Sequence, residues 1–308
     1  MPTAYCYFKG SFVPLEDAKI SVMTHALHYG TGIFEGIRAN WNPEQNVASI
    51  FRLQEHYQRF LQGCNFLRMQ LPYSVDDLVE LTKSLVAKCG YAEDSYIRPL
   101  AYKSAERIGV LKLQEVEEEF VLFMIPFGAY LDVTAAARCC TSSWRRIDDT
   151  MIPPRIKNTG LYINSNLAKT DATLNGFDEA IMLTTDGHVS EGTGENIFLY
   201  QKGRLVTPAT SGNILEGITR NTIIQLAKDE LGIETIERTV NRSELYMSDE
   251  CFLTGTAAHL TPVGEIDNFK IANGEMGEVT KKLQDLYFDV IRGVNPKYAH
   301  WCTLVPVG

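Results

Sequence analysis

Two short stretches carry most of the information in this sequence: IKNTGLY at residues 156–162 and SEGTGEN at residues 190–196. The first stretch places Lys157 among small and polar residues. The second places Glu191 and Glu195 in a glycine-rich bend. Either stretch alone is weak evidence, because solvated lysines and acidic turn residues are common. Together they predict a site that combines a reactive amine with a carboxylate.

The composition is that of an ordinary globular protein. The chain has 308 residues, 45% hydrophobic and 22% charged, and this length suits two domains better than one. We predict a smaller N-terminal α/β domain at residues 1–127, a connection at 128–136 and a larger C-terminal domain at 137–308. The net charge of −9, without a basic run interleaved with aromatics, argues against nucleic-acid binding.

The cysteines and the N-terminus favour a cytoplasmic protein. The seven cysteines are an odd number, and a disulfide between the adjacent Cys139 and Cys140 would be strained, so we expect reduced thiols. The first residues lack the basic start and apolar core of a signal peptide. No apolar run approaches the roughly 20 residues that a membrane helix requires, so we expect no membrane partner.

Strands and helices alternate in the predicted N-terminal half. Residues 48–53 are strand-like, and apolar residues at helical spacing follow in residues 53–64. A second helix begins at Ser74 and ends at Gly90. The continuous apolar run at residues 120–127 predicts a buried strand, and the break after it marks the connection between the domains.

The C-terminal half has a similar alternation. Residues 179–185 and 196–201 are strand-like and flank the glutamate stretch, and Lys202-Gly203 predicts a hairpin. An apolar stripe predicts a helix that begins at residues 217–219 and ends at Gly232.

The lysine and the glutamate suit the two ends of one cofactor. An aldehyde requires an amine that is deprotonated part of the time, and Lys157 is the candidate. A pyridine nitrogen that must stay protonated requires a carboxylate against it, and Glu191 is the candidate, with Glu195 competing. A solvated lysine and a surface turn acid are the alternatives. The pair favours pyridoxal 5'-phosphate.

The predicted helix start at residues 217–219 suits the phosphate of that cofactor. Backbone N–H groups and the positive end of the helix dipole attract an anion, and Thr219 adds a hydroxyl. Arg52 offers a guanidinium, and Thr256 in the GTAA turn at residues 255–258 offers another hydroxyl. An ordinary helix cap would explain Thr219 equally well.

Groups for a carboxylated substrate lie on one predicted strand. Side chains alternate along a strand, so Tyr96 and Arg98 face the same side and offer a phenol and a guanidinium. A structural salt bridge is the alternative for Arg98. His25 and His28 have the spacing of metal ligands, but no third ligand accompanies them, so we expect packing or hydrogen bonding and no metal.

Other catalytic templates fit the sequence badly. It contains no G-x-S-x-G elbow, no G-x-x-x-x-G-K-[ST] phosphate loop and no H-E-x-x-H zinc helix. The glycines of residues 30–36 have the wrong spacing for a dinucleotide fingerprint.

Nearly the whole chain resembles the branched-chain-amino-acid aminotransferases, which are pyridoxal-phosphate enzymes of fold type IV. The resemblance rests on ordered motifs: HALHYG at 25–30, FEGIR at 34–38, YIRPL at 96–100, SEG at 190–192, LEGITR at 215–220, SDE at 248–250 and GTAA at 255–258. It implies an α+β, two-domain fold type IV architecture, and a homodimer or higher homo-oligomer with active sites near the subunit interface.

The resemblance also implies roles for single residues. Lys157 would be catalytic and covalently linked to the cofactor, Glu191 would pair with the ring nitrogen, and Tyr162 would bond the ring hydroxyl. The other implied cofactor contacts are Arg52, Leu215, Gly217, Ile218, Thr219 and Thr256. The implied substrate-binding residues are Tyr29, Phe34, Gly36, Arg38, Tyr96, Arg98, Val110, Tyr130, Thr256, Ala257 and Ala258, with Tyr29, Phe34, Val110 and Tyr130 as apolar walls.

Three residues depart from the family pattern. Leu161 is bulkier than the small or polar residue expected, Phe127 stands where an aromatic with a hydrogen-bond donor is also common, and His259 is not the expected residue. The departures concern substrate range more than the reaction, since none replaces a proposed catalytic group.

The implied reaction moves the amino group of leucine, isoleucine or valine to 2-oxoglutarate. One pocket must then accept an aliphatic and a carboxylate side chain, so we expect apolar walls and one arginine, Arg98, with Arg38 and Arg107 in reserve. Alternatives on the same fold are a D-amino-acid or R-selective amine transaminase and an aminodeoxychorismate lyase. A noncatalytic protein that kept the architecture is the alternative of another class.

Overall fold

The computed structural model describes residues 4–128 and 131–307. The chain divides into two compact units. The first takes its residues from Met1–Gly128, Ile156–Gly160 and Asp289–Gly308, and the second from Ala129–Arg155 and Leu161–Phe288. Among the helices of residues 4–128 and 131–307, none has the length and apolar character needed to cross a lipid bilayer.

The strands belong to two sheets. In chain order they are β1 (Tyr5–Phe8), β2 (Ser11–Pro14), β3 (Gly32–Phe34), β4 (Ile37–Asn42), β5 (Val47–Phe51), β6 (Ser95–Lys103), β7 (Glu118–Pro126), β8 (Ala137–Arg145), β9 (Glu179–Leu183), β10 (Asn196–Gln201), β11 (Arg204–Pro208), β12 (Thr235–Arg238), β13 (Glu250–Gly255), β14 (His259–Ile266), β15 (Phe269–Lys270) and β16 (Cys302–Pro306).

The helices lie between these strands. They are α1 (His25–Tyr29), α2 (Leu53–Phe66), α3 (Val75–Cys89), α4 (Tyr162–Leu174), α5 (Ile218–Leu231), α6 (Arg242–Leu245) and α7 (Glu278–Ile291). Short 3-10 turns cover Leu15–Asp17, Leu113–Glu115, Thr159–Leu161 and Pro296–Trp301. This mixture of helices with two sheets confirms the predicted α+β class.

The sheet of the first unit has the strand order β16-β5-β4-β6-β7-β1-β2, with β3 paired to β6. The C-terminal strand β16 runs antiparallel to β5, with Cys302 opposite Phe51. Helices α2 and α3 contribute Tyr57 and Leu85 to a core that includes Ile37 and Ile50 from the sheet. The removal of this apolar surface from water is the main stabilising contribution to the unit.

Local sequence explains the bounds of α3. The Ser74 hydroxyl accepts a hydrogen bond from the Asp77 N–H, and the Asp77 carboxylate accepts one from the Ser74 N–H, so the first turn has a capping box. Gly90 ends the helix in the left-handed conformation. The predicted helix from Ser74 to Gly90 is confirmed.

The sheet of the second unit has the order β12-β11-β10-β13-β14-β8-β9, with β15 paired to β14. Strands β10 and β11 form the predicted hairpin, in which Lys202 and Gly203 both have positive φ. Strand β9 stops at Leu183, two residues before the predicted end, and lies at the sheet edge beside β8.

Helix α5 begins inside the LEGITR motif, at Ile218. Gly217 is its N-cap, and the left-handed Gly232 ends it, as predicted. Ile223, Leu226 and Ala227 are buried along one face. The first N–H groups of the helix have no carbonyl acceptor within the helix, so they are available to an external acceptor.

The compact units differ from the predicted domain bounds in two segments. Residues 156–160 and 289–308 group with the N-terminal residues, although both fall inside the predicted C-terminal domain. The cause is long-range pairing, because β16 adds to the sheet beside β5 and Asn158 forms an antiparallel bridge with Ile33. The division at residues 128–136 stays a prediction.

Candidate active site

In the first unit, backbone pairing with β3 holds the lysine segment in place. The Lys157 carbonyl accepts a hydrogen bond from the Phe34 N–H at 3.0 Å, and the Asn158 amide donates to the Gly32 carbonyl at 3.2 Å. A Cβ at Gly30 would lie 2.7 Å from the Gly160 Cα, so the close approach of these two segments requires glycine at residue 30. The HALHYG and IKNTGLY motifs therefore meet.

Two cationic side chains lie over the ring of Phe34. The Lys157 Nζ is 5.1 Å from the ring centre, and the Arg98 guanidinium carbon is 4.3 Å from it. Phe34 is buried. The structure thus brings together the candidate amine, the candidate substrate arginine and one predicted wall of the substrate pocket.

Tyr96 and Arg98 contact each other on the same side of β6, as the strand alternation predicts. The Arg98 Nη2 donates to the Tyr96 hydroxyl at 3.1 Å. A Cβ at Gly36 would lie 2.0 Å from that hydroxyl, which explains why FEGIR has glycine at its third position. Gly36 therefore admits the Tyr96 phenol.

The two reserve arginines have other partners. Arg38 donates to the carbonyls of Phe127 and Gly128, the second at 2.9 Å, and its guanidinium lies over the Phe127 ring. Arg107 pairs with Glu117 and is about half exposed. These contacts tie Arg38 to the end of β7 and leave Arg98 as the stronger candidate for a substrate carboxylate.

Hydrogen bonds from α1 hold Val110 and its loop. One His25 ring nitrogen is 2.7 Å from the Val110 carbonyl, and the other is 2.9 Å from the Thr31 hydroxyl. The Tyr29 hydroxyl accepts from the Gly109 N–H at 2.8 Å. The hydrogen-bonding role predicted for His25 is confirmed, and His28 likewise contacts the Val22 carbonyl. Tyr130 lies outside the described residues.

Arg52 follows β5 in the left-handed conformation, with φ of 49°. The predicted strand to residue 53 therefore ends at Phe51, and α2 begins at Leu53. The Arg52 Nε donates to the Glu55 carboxylate at 2.8 Å. The guanidinium also lies over the ring of Trp301.

A buried ionic cluster in the first unit was missed by the sequence reasoning. The Glu35 carboxylate accepts hydrogen bonds from Arg59 at 2.7 Å and is 2.9 Å from a His56 ring nitrogen. Burial acts to raise the pKa of Glu35, but the Arg59 charge and the hydrogen bonds outweigh it and hold the pKa well below its usual range. The signal was present in the sequence, since His56 and Arg59 are three residues apart on one helix face.

In the second unit, three donors surround Glu191. The Arg146 guanidinium contacts one carboxylate oxygen at 2.7 Å, and the Asn196 amide and the Leu215 N–H donate to the other at 3.0 and 3.1 Å. Arg146 and Glu191 are both buried. Charge-assisted hydrogen bonds of this kind favour the ionised carboxylate. Arg146 has no spacing relation to Glu191, so no sequence signal pointed to it.

Asn196 joins the glutamate bend to the start of α5. Its amide also donates to the Leu215 carbonyl at 2.9 Å. A Cβ at Gly217 would lie 2.1 Å from the Asn196 side-chain oxygen, so the N-cap must be glycine. Glu191, Leu215 and Gly217 therefore form one rigid group in this unit, and Ile218 and Thr219 are buried beside it on the first turn.

Glu195, the competing carboxylate, has different surroundings. Burial and the charge of Glu179 raise its pKa to about 8. The Glu179 carboxylate is itself held by the Lys169 ammonium and the Thr193 hydroxyl. A carboxyl group that keeps its proton at neutral pH is a poor partner for a protonated ring nitrogen, which favours Glu191.

The GTAA turn connects β13 and β14 in the second unit. Gly255 is paired with His259, which has φ of 56° and packs against Phe288 with ring centres 5.2 Å apart. Thr256, Ala257 and Ala258 lie between them. The turn is thus held at both ends by the sheet, and His259, one of the three departures, occupies a buried and strained position. Tyr162 is the first residue of α4, after the buried Leu161.

Comparison with known proteins agrees with these features. The family model for amino-transferase class IV matches residues 32–266. A relative from Aquifex aeolicus named as a probable branched-chain-amino-acid aminotransferase is 50% identical over 98% of this chain and 96% of its own length.

Two solved structures of branched-chain aminotransferases share the fold. The enzyme from Thermoproteus uzoniensis with norvaline has a TM-score of 0.93 at 41% identity, covering 98% of this chain and 99% of that one. The T.th. enzyme with N-(5'-phosphopyridoxyl)-L-glutamate has a TM-score of 0.92 at 42% identity, covering 98% of each chain. The fold type IV prediction is confirmed. The chain therefore belongs to the amino-transferase class IV family, among its branched-chain-amino-acid aminotransferases.

Proposed function

We propose that this chain is a pyridoxal-phosphate-dependent transaminase. It moves the amino group of leucine, isoleucine or valine to 2-oxoglutarate and produces branched-chain 2-oxo acids and L-glutamate. The main support is the 50% identity over nearly the full length to a relative named for that activity. Further support comes from a neighbour structure at 42% identity that holds an adduct of the cofactor with glutamate.

The residues of the chain fit the cofactor. Glu191 is a buried carboxylate that accepts hydrogen bonds from Arg146 and Asn196, and these donors favour the charged form that a protonated ring nitrogen requires. The first turn of α5 begins at a glycine N-cap and offers N–H groups to a phosphate. Lys157 would carry the covalent link, Tyr162 would bond the ring hydroxyl, and Arg52, Ile218, Thr219 and Thr256 would hold the phosphate.

The chemistry divides between cofactor and protein. When bound, the cofactor supplies an electron sink for the negative charge that develops at the substrate α-carbon. The Lys157 amine would move a proton between the substrate α-carbon and the cofactor carbon. The Glu191 carboxylate would keep the ring nitrogen protonated, so that the electron sink stays effective.

The first unit supplies the side chains that we assign to substrate binding. Phe34 supplies an apolar wall for an aliphatic side chain, and Arg98 beside it supplies a positive charge for the distal carboxylate of glutamate. Tyr96 is assigned to the α-carboxylate. One pocket can then serve both substrates, because the cation–π contact lets the guanidinium rest on an apolar ring when no carboxylate is present.

We also propose a homodimer. In the first unit, exposed apolar side chains occur in two segments that hydrogen bonds connect, residues 20–29 and 108–111, and they include Val22, Leu27 and Leu111. Exposed apolar residues close to one another favour a protein partner. A cytoplasmic location is proposed as well, and it is supported by seven free thiols.

A donor panel tests the function. The purified protein, supplied with cofactor and 2-oxoglutarate, is offered L-leucine, L-isoleucine, L-valine, their D forms and both enantiomers of a simple chiral amine. We expect glutamate formation from the three L-amino acids and a loss of activity in Lys157→Ala that exceeds the roughly 10²–10⁴-fold cost of a missing general base. Turnover of the D-amino acids or R-amines alone would contradict the proposal, and so would an active Lys157→Ala variant.

A further inference from the structure

The C-terminal segment of the chain contacts Arg52, one of the residues assigned to the cofactor phosphate. The 3-10 turn Pro296–Trp301 leads into β16, which pairs with β5 so that Cys302 lies opposite Phe51. This register places Trp301 beside Arg52, and the Arg52 N–H donates to the Trp301 carbonyl at 2.6 Å.

The backbone of Arg52 depends on this contact. Its φ of 49° and ψ of 45° are in the left-handed region, which an arginine adopts at a cost. The hydrogen bond from Arg52 to Trp301 and the β5–β16 pairing before it hold the residue there. The chain can then turn from β5 into α2 within one residue.

The side chains of Arg52 and Trp301 also lie against each other. The Arg52 guanidinium carbon is 5.1 Å from the centre of the Trp301 ring, and the Nε bonds to Glu55. Trp301 is only 8% exposed, and Tyr298, which is 2% exposed, stacks on it with ring centres 4.7 Å apart. The indole is therefore a rigid surface, and the guanidinium is oriented by an aromatic ring and by a carboxylate.

We propose that Trp301 is a positioning residue that orients the Arg52 guanidinium for the phosphate of the cofactor. This inference depends on the proposed function, because it takes Arg52 as a phosphate contact. A guanidinium binds phosphate through a planar fork of donors, so its orientation matters as much as its charge. An arginine held in place before the anion arrives loses less conformational freedom on binding, and the cofactor binds more tightly.

A structural role alone would predict something different. If Trp301 only packs in the first unit, its loss would weaken every ligand of the site alike, or none. If it acts through Arg52, its loss weakens only ligands that carry the phosphate. Pyridoxal, which lacks the phosphate but keeps the aldehyde and the ring, separates the two cases.

The experiment measures the affinities of full-length protein, freed of cofactor, for pyridoxal 5'-phosphate and for pyridoxal by titration of the cofactor absorbance. The variants are Trp301→Leu, Trp301→Phe, Arg52→Gln and the double variant Arg52→Gln/Trp301→Leu. Trp41→Leu is the matched control, since it removes an indole from β4 of the same sheet. Circular dichroism checks that each variant is folded.

We expect Trp301→Leu to bind pyridoxal 5'-phosphate about three- to thirty-fold more weakly, the range of a lost cation–π contact, with little change for pyridoxal. Trp301→Phe keeps part of the aromatic face and should lose less. Trp41→Leu should leave the ratio of the two affinities unchanged. In the Arg52→Gln background, Trp301→Leu should add no further loss, because the group it orients is gone.

Two results would overturn the inference while the proposed function stands. One is an unchanged ratio of affinities in Trp301→Leu, or in Trp301→Phe if the leucine variant does not fold. The other is a loss from Trp301→Leu that persists in full without the Arg52 guanidinium. A wild-type protein that binds pyridoxal as tightly as its phosphate ester would instead refute the cofactor assignment, and the role of Trp301 with it.

Discussion

The second unit holds two carboxyl groups, Glu191 and Glu195, that are equally buried but differently surrounded. Each is 4% exposed. Glu191 accepts hydrogen bonds from the Arg146 guanidinium, an amide and a backbone N–H. Glu195 accepts one from the Gly194 N–H, at 3.1 Å, and lies in the field of the Glu179 carboxylate. Because burial is the same, the neighbours alone decide which group is suited to carry a charge.

Different neighbours allow one short bend to favour a charge at one carboxyl group and a proton at the next. Desolvation penalises the ionised form of both groups, and only a partner of opposite charge with well-placed donors offsets the penalty. Arg146 supplies that partner for Glu191. The raised pKa of Glu195, about 8, means that this group is mostly protonated at neutral pH. The stretch SEGTGEN therefore contains one carboxyl group whose donors favour its charged form and one whose surroundings favour its neutral form.

Breaking the buried Arg146–Glu191 ion pair should lower the free energy of unfolding more than any other change considered below. Arg146→Met leaves the Glu191 charge buried without its partner, and such a loss costs about 3–5 kcal/mol of folding free energy. Urea unfolding at neutral pH measures it. The matched control is Arg145→Met, on the exposed neighbour of Arg146, for which we expect a much smaller change. Equal losses of unfolding free energy in the two variants would show that Arg146 does not offset the burial of the Glu191 charge.

Replacing the two glutamates one at a time should change kcat very differently. Glu191→Gln removes the charge assigned to the ring nitrogen while it keeps the shape of the side chain, and we expect kcat to fall about 10²–10³-fold, the usual scale for one preorganised electrostatic contact. Glu195→Gln replaces a group that is already neutral, so its kcat at neutral pH should stay near that of the wild type. Steady-state rates with leucine and 2-oxoglutarate measure both. The reverse order of the two variants would assign the ring nitrogen to Glu195.

Features that depend on nearby residues were predictable from the sequence. Ser74 and Asp77 form a capping box within one turn, and Gly90 ends the same helix, so α3 follows from local rules. The start of α5 and the hairpin at Lys202 and Gly203 were predicted for the same reason.

Features that depend on distant pairing were not predictable. Strand β16 joins β5 across some 250 residues of chain, and nothing local in either segment specifies the partner. Arg146 likewise meets Glu191 only because β8 ends beside β9 in the second sheet. Sequence patterns named Glu191 and Glu195 as candidates, but the groups that distinguish them, such as Arg146 and Glu179, come from other segments of the chain.

The raised pKa of Glu195 predicts a small change in how the stability of the protein depends on pH. The folded Glu195 carboxyl keeps its proton up to about pH 8, whereas in the unfolded chain it loses the proton near its ordinary pKa of 4.5. Between these values the folded state binds more protons, so the stability that protonated Glu195 contributes at low pH is lost as the pH rises. As the pH rises, the unfolding free energy of the wild type should then fall faster than that of Glu195→Gln, by up to about 1.4 kcal/mol per pH unit.

Urea unfolding of both proteins at pH 5, 6 and 7 measures this difference in slope, and every other titrating group is shared by the two proteins. Parallel curves would mean that Glu195 ionises normally in the folded protein, and the contrast with Glu191 would then disappear.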